Sequence, residues 1–155
     1  MEQRRRLFRW CFIIYGVFVL MLWFLRKPGT PDLPYWQAVR QYLNLKPFQS
    51  IPIFLYIIRN NPHAYLRFMA VANLAGNIVL FIPPGFLLPA AFPRLRTFFR
   101  TVCLSAGIIS AAEVIQMLTF LGNCDIDDLL FNLTGVCIGY WIFLLIRRRW
   151  PNVLP

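Results

Sequence analysis

One carboxyl group lies in the middle of a long apolar stretch of the sequence. Glu113 occurs within SAAEVIQM, with Ser110 three residues before it and Gln116 three residues after it. Residues three apart lie near one face of a helix, so these polar side chains are predicted to point the same way. An ionisable group in mid-membrane costs about 2.5–3.5 kcal/mol on insertion scales and normally faces a partner or water. Glu113 is therefore predicted to face a ligand or ion, with interhelical hydrogen bonding as the purely structural alternative.

Three aspartates precede another apolar stretch, in the sequence CDIDDLLFNLTG. Asp125 can cap a helix there, and Asp127 and Asp128 then lie in its first turn, where the positive end of the helix dipole stabilises carboxylates. Because three carboxylates exceed what a cap requires, capping and ligand binding both stay open. No cofactor is expected, although the three aspartates leave a divalent cation open as a ligand. Their spacing is not that of a calcium-binding loop.

Small and polar residues share one face of the helix that begins at this cluster. Asp128, Asn132, Gly135 and Gly139 follow one another at steps of four, three and four residues. Two glycines at this spacing permit a close approach of helices in a membrane. The pattern predicts a tight glycine contact deep in the helix bundle and a polar pocket at its outer end.

Two asparagines lie four residues apart in another apolar stretch, so Asn73 and Asn77 share a helix face. An interhelical hydrogen bond of this kind is worth roughly 0.6 kcal/mol on average, and packing alone can explain such residues. Packing and function are both open for Asn73. Asn77, which lies beside Gly76 and one turn before Phe81, is predicted to take part in the site.

Nucleophilic catalysis finds little support in the residue types. His63 is the only histidine, and no CxxC, GxSxG, P-loop or HExxH sequence occurs. An enzyme would have to use Glu113 with Asp125 or Asp128 as an acid–base pair. One carboxyl group of such a pair would be buried and protonated, and the other hydrated and ionised. Catalysis is therefore the weaker alternative to binding.

These polar residues belong to a chain whose composition requires lipid. Hydrophobic residues make up 59% of the sequence, whereas soluble domains have about 45–50%, and 155 residues cannot bury the excess in one aqueous core. The predicted fold is an all-α integral membrane protein of one domain, residues 1–155, with about four transmembrane helices. The apolar stretches place these helices at about residues 7–25, 68–92, 98–121 and 128–146.

Residues 26–67 form a long loop between the first two predicted spans. Its apolar run at residues 51–58 is too short to cross a hydrocarbon core of about 30 Å, so an interfacial or re-entrant segment is expected. The second span contains Pro83 and Pro84, which free backbone carbonyl groups. A kink or break is therefore predicted near Ile82.

The basic residues predict the orientation of the chain. Its formal charge is +10, but the lysines and arginines lie at the edges of apolar runs, so we expect no nucleic-acid partner. Short basic segments at residues 4–9, 94–100 and 147–149 place both termini in the cytoplasm and the loop at residues 122–127 outside. The loop of residues 26–67 also falls outside, although it contains six basic residues. The polar pocket is then expected to face the outer side of the membrane.

Taken in order, these motifs resemble the VanZ family over most of the chain. The matching residues are Arg40, Asn44, Pro47 and Phe48; then Asn77, Phe81, Pro83 and Gly85; then Glu113 and Gln116; and finally Asp125, Asp128, Asn132 and Gly135. Many members have an arginine just before the acidic cluster, where this chain has Asn123 and Cys124. The charge partner of the aspartates therefore stays open, with Arg40, Arg59 and Arg67 as candidates.

The resemblance implies a protein of the bacterial cytoplasmic membrane that contributes to glycopeptide resistance, to teicoplanin more than to vancomycin. Because teicoplanin carries an acyl chain, the family is expected to act on something lipidic. The first hypothesis is a binding protein whose partners are membrane lipids, a lipid-linked cell-wall precursor or the lipoglycopeptide itself. Its expected ligand-binding residues are Arg40, Asn44, Asn77, Glu113, Gln116, Asp125, Asp128 and Asn132. An enzyme acting on a lipid head group is the second hypothesis and a lipid or drug transporter the third, and the oligomeric state stays open.

Overall fold

A computed structural model describes residues 2–25, 27–150 and 154 of the chain. Its helices are α1 (Glu2–Phe24), α2 (Tyr35–Gln41), α3 (Ser50–Asn60), α4 (Ala64–Ala91), α5 (Phe98–Leu118) and α6 (Ile126–Arg149). Among the described residues, α1, α4, α5 and α6 are long and apolar enough to cross a membrane. The prediction of an all-α integral membrane protein with about four spans is confirmed.

The helices differ from the predicted spans mainly at their ends. Helix α1 starts five residues before the predicted start at residue 7, and α6 continues three residues beyond residue 146. The cause is that the predicted spans counted apolar residues, whereas a helix continues through flanking arginines. Helix α5 instead ends three residues early, because Phe120 has a φ of 56°, in the left-handed region. The Phe120 and Leu121 amides there donate to the Met117 and Gln116 carbonyls and close the helix.

Glycines bring α4 and α6 into backbone contact. A Cβ atom added to Gly135 or Gly139 of α6 would overlap the carbonyl oxygen of Ile78 or Ile82 of α4. A Cβ atom added to Gly85 of α4 would in turn overlap the backbone of Val136. No larger side chain fits between the two helices at these points. The predicted tight glycine contact is therefore confirmed, and α4 is its partner.

Helix α4 runs through Pro83 and Pro84 without interruption, so the prediction of a break near Ile82 is wrong, while the alternative of a kink there stays a prediction. Pro84 has no N–H to donate to the carbonyl group of Leu80, four residues earlier. The hydroxyl group of Tyr15 in α1 donates to that carbonyl oxygen over 2.8 Å instead. Neighbouring helices can satisfy a carbonyl that a proline frees, and the helix then needs no break.

Residues 27–63, which include α2, β1 and α3, lie between α1 and α4, and we call this segment the outer frame. The run at residues 51–58 lies within α3, whose 11 residues span about 16 Å at 1.5 Å per residue and which packs against α4. Strands β1 (Leu43–Asn44) and β2 (Cys124–Asp125) pair in parallel, with Leu43 opposite Cys124. This pairing, which the sequence analysis did not predict, attaches the frame to the start of α6. An interfacial or re-entrant position of α3 stays a prediction.

We expect Gly135→Ala to destabilise the protein, because its Cβ atom would displace the α4 backbone. Overpacking of this kind costs about 1–3 kcal/mol. The matched control is Gly107→Ala, whose Cβ atom would have no atom within 4 Å. Thermal unfolding of the purified protein in detergent measures both. Equal melting temperatures for the two variants would show that the glycine contact is not close in the membrane protein.

Candidate functional site

A small polar cavity lies at the end of the bundle where α1 and α5 end and α6 begins. Its volume is about 50 Å³. The side chains around it come from all four long helices and from the loop between α5 and α6. They are Trp23, Asn73, Asn77, Glu113, Gln116, Gly122, Asn123, Asp128 and Asn132. We call this space the polar cavity.

Five of the eight predicted ligand-binding residues line the polar cavity: Asn77, Glu113, Gln116, Asp128 and Asn132. They are distant in sequence, and helix packing brings them together. The Asn77 side-chain amide donates to Asp128 Oδ1 over 2.7 Å and links α4 to α6. Glu113 is only 6% exposed. Their roles in binding stay predictions.

Asn132 is the most buried polar residue of the cavity wall. Its side chain is 3% exposed, and its Oδ1 atom accepts no hydrogen bond from the described residues. A buried acceptor without a donor costs about 1–3 kcal/mol. Because Asn132 lines the cavity, this atom is a candidate contact for a ligand.

Asn44 and Asp125 lie beside the polar cavity and do not line it. The Asp125 carboxylate accepts from the Asn44 amide over 3.1 Å, from the Ser50 hydroxyl over 2.7 Å and from the Asp127 N–H over 2.9 Å. Asp125 is thus the N-cap of α6, as the capping alternative predicted. Its own N–H donates to Glu113 Oε2 over 3.2 Å. The outer frame therefore reaches the polar cavity through Asp125.

Asp127 attaches the outer frame to α6. It is 1% exposed, and its two carboxylate oxygens accept from the backbone N–H groups of Phe48, over 2.5 Å, and Ser50, over 2.8 Å. Ser50 is the first residue of α3, so the carboxylate also lies at the positive end of that helix dipole. Phe48 has a φ of 62°, a left-handed conformation that costs a non-glycine residue roughly 1–2 kcal/mol. This strained turn is held by the Asp127 contact.

Neutral donors satisfy Asp125 and Asp127 in place of the arginine that the sequence analysis sought. Arg40, Arg59 and Arg67 are all exposed, and none of them lines the polar cavity. In the part of the chain that the structure describes, no three His, Cys, Asp or Glu side chains are grouped as metal ligands. A divalent cation at Asp125, Asp127 and Asp128 stays an untested prediction.

Sequence reasoning missed Trp23, Gly122 and Asn123 as cavity residues. Trp23 lies in an apolar run with no polar neighbour, so no pattern marked it. Its carbonyl oxygen accepts from the Gln116 side-chain amide over 3.1 Å, which holds α1 against α5. Asn123 had one signal, because it stands where many VanZ proteins have an arginine. Asn73, for which packing and function were both open, lines the cavity and donates to the carbonyl of Met69 in its own helix over 3.1 Å.

A second cavity, which is apolar, adjoins the polar cavity at Trp23. It has a volume of about 160 Å³ and lies between α1, α4 and α5. Its wall is formed by Phe12, Tyr15, Gly16, Val19, Leu20, Trp23, Phe81, Pro84, Leu88, Ser105, Ile108 and Ile109. The rings of Trp23 and Phe81 pack 5.6 Å apart at this junction. We call this space the apolar cavity.

Cys124 is the thiol closest in sequence to the site, and it is not activated. Burial raises the pKa of the Cys124 thiol, and the neighbouring carboxyl groups of Glu113 and Asp125 raise it further. A thiol with a raised pKa stays protonated at neutral pH and is a poor nucleophile. The geometry therefore gives no support to cysteine catalysis.

We expect Asp127→Asn to lower the melting temperature. The asparagine NH2 group would face a backbone N–H group, so one buried donor would lose its acceptor at a cost of about 1–3 kcal/mol. The control is Asp32→Asn, because Asp32 is exposed. Thermal unfolding in detergent, together with proteolysis of the loop at residues 26–67, measures the effect. A loop as resistant as that of the control would contradict the assigned role of Asp127.

Comparison with known proteins identifies a family. A sequence model of the VanZ/LLP1 family matches residues 12–147, which cover nearly the whole chain. No curated protein and no solved structure matches the chain. The match includes every residue that lines the polar cavity and the whole outer frame. The chain belongs to the VanZ/LLP1 family.

Proposed function

We propose that this VanZ-like membrane protein contributes to glycopeptide resistance by binding an amphiphile. The ligand is a membrane lipid, a lipid-linked envelope component or the lipidated drug. Its polar head enters the polar cavity, and its hydrocarbon part lies in the apolar cavity. The observation that carries this proposal is that Trp23 lines both cavities, so a polar space and an apolar space lie side by side within the bundle.

The two cavities contribute differently to such binding. Lipid tails are as apolar as leucine side chains, so moving a hydrocarbon chain from the bilayer into the apolar cavity gains little free energy. Hydrogen bonds in the polar cavity lie where water competes less and are worth more there. Selectivity between ligands therefore depends on the head group, and the apolar cavity sets the position of the chain.

The predicted topology places the polar cavity on the outer side. It lies at the end of the bundle where α1 ends, and α1 begins at the opposite end with a cluster of arginines. A cytoplasmic N-terminus, as the positive-inside rule predicts, turns the cavity toward the side where the drug and the lipid-linked wall precursors meet. This orientation is part of the proposal.

Catalysis is the second candidate function, because Glu113 and Asp128 both line the polar cavity. They would act as an acid–base pair on a lipid head group. The described lining contains no serine, cysteine, lysine or histidine, so a covalent nucleophile would have to be a carboxylate. Lipid mass spectrometry separates the two functions, since an enzyme leaves a modified lipid and a binding protein does not.

The test is susceptibility to teicoplanin and vancomycin in a sensitive Gram-positive host. We expect the wild type to protect against teicoplanin, and Glu113→Gln, Asp128→Asn and Asn77→Ala to lose that protection. Each variant removes a hydrogen bond or charge worth about 1.5–3 kcal/mol, which weakens binding by about tenfold or more. All variants are compared at matched membrane levels.

Gly16→Leu tests the apolar cavity without touching a polar residue. A Cβ atom at Gly16 has no atom within 4 Å, and Gly16 lines the cavity, so we expect a leucine there to take up part of its volume. We expect it to reduce protection against teicoplanin. Gly107→Leu is the control, because Gly107 also has space for a Cβ atom and lines neither cavity. Full protection by Gly16→Leu and by all three polar variants would refute the binding proposal.

A further inference from the structure

The wall of the polar cavity has a buried hydrogen-bond acceptor that no donor satisfies among the described residues. The side-chain amides of Asn77, Gln116 and Asn73 each donate to a protein oxygen, on Asp128, Trp23 and Met69 respectively. The Asn132 Oδ1 atom, by contrast, accepts nothing from the described residues and is buried. A ligand that brings a hydrogen-bond donor would satisfy this acceptor.

The described lining is also acidic. Glu113 and Asp128 contribute carboxyl groups, and no lysine or arginine belongs to this part of the wall. A phosphate or carboxylate group would be repelled by either carboxyl group in its ionised form, whereas a cation favours the ionised form of both. Hydrogen bonds from a charged nitrogen to such oxygens are stronger than neutral ones, above all away from water.

The volume of the polar cavity limits the size of the group. A space of about 50 Å³ holds roughly three to five water-sized groups, since each needs about 10–15 Å³. An ammonium group and the first carbons attached to it fit this volume. A sugar ring with its hydroxyl groups has more than twice as many heavy atoms and does not.

We infer that the polar cavity binds the primary ammonium group of an amphiphile, with Asn132 Oδ1 and the Glu113 carboxyl group as direct acceptors beside Asp128. An ammonium group has three N–H donors and no acceptor, which complements this wall. The inference rests on the proposed function and names the chemistry of its ligand. Either the amino head group of a membrane phospholipid or a primary amine on a lipidated drug supplies this group.

The test measures binding to the purified full-length protein by native mass spectrometry. The probes share the same acyl chains and lose N–H donors in steps: phosphatidylethanolamine, its N-methyl and N,N-dimethyl forms, and phosphatidylcholine. Phosphatidylglycerol is the anionic comparison. We expect affinity to fall with each lost donor, by at least about tenfold from the first probe to phosphatidylcholine. A parallel arm compares teicoplanin with its N-acetylated form and identifies the source of the amine.

The variant Asn132→Leu tests whether the preference among the lipids arises in the polar cavity. We expect it to remove the preference for phosphatidylethanolamine over phosphatidylcholine, whereas Asn60→Leu, at an exposed position, retains it. If Asn132→Leu does not fold, Glu113→Gln keeps the shape of the wall and provides the same comparison. An unchanged preference in a folded variant overturns the assignment.

Two further outcomes separate this inference from the proposed function. Equal binding of all the lipids, lowered throughout by Asn132→Leu, retains amphiphile binding and overturns the ammonium inference. Tighter binding of phosphatidylglycerol overturns it too. If no lipid and no form of the drug binds saturably, both the inference and the proposed function are wrong.

Discussion

Asn77 and Asp128 can meet over 2.7 Å because the backbones of α4 and α6 are in contact beyond them, where Gly135 meets Ile78 and Gly139 meets Ile82. Gly135 packs on the carbonyl of Ile78, the residue after Asn77, and Asn132 precedes that glycine by one turn. A larger side chain at Gly135 would separate the helices and with them the polar side chains above. The polar cavity is therefore a consequence of helix packing as much as of its own residues.

The three aspartates at the start of α6 have two different roles. Asp125 and Asp127 hold the outer frame through backbone and neutral side-chain donors, while Asp128 faces the polar cavity. Adjacent residues of a helix point about 100° apart, so Asp127 can contact the outer frame while Asp128 faces the polar cavity. Glu113 connects the two parts, since it lines the cavity and accepts from the Asp125 N–H group. Rigid support of this kind positions polar groups before a ligand arrives.

Features that follow from the spacing of residues along one helix could be predicted from the sequence. Features that depend on contacts between distant segments could not. The four spans, the glycine face of α6 and the Asp125 cap follow from local patterns of residue type and spacing. The pairing of β1 with β2 involves two residues on each side, too few to form a pattern. The unbroken α4 depends on Tyr15, 65 residues away from Leu80, and no rule local to the proline pair could include it.

Two residues of the apolar cavity wall, Leu20 and Ile108, are each 51% exposed on the surface that lipid covers. A hydrocarbon chain can therefore arrive sideways, from within the leaflet, without crossing water. For such a ligand the relevant concentration is its mole fraction among the surrounding lipids, and not its concentration in the medium. Membrane composition would then set the occupancy of this protein, and two membranes exposed to the same dose could fill it to different extents.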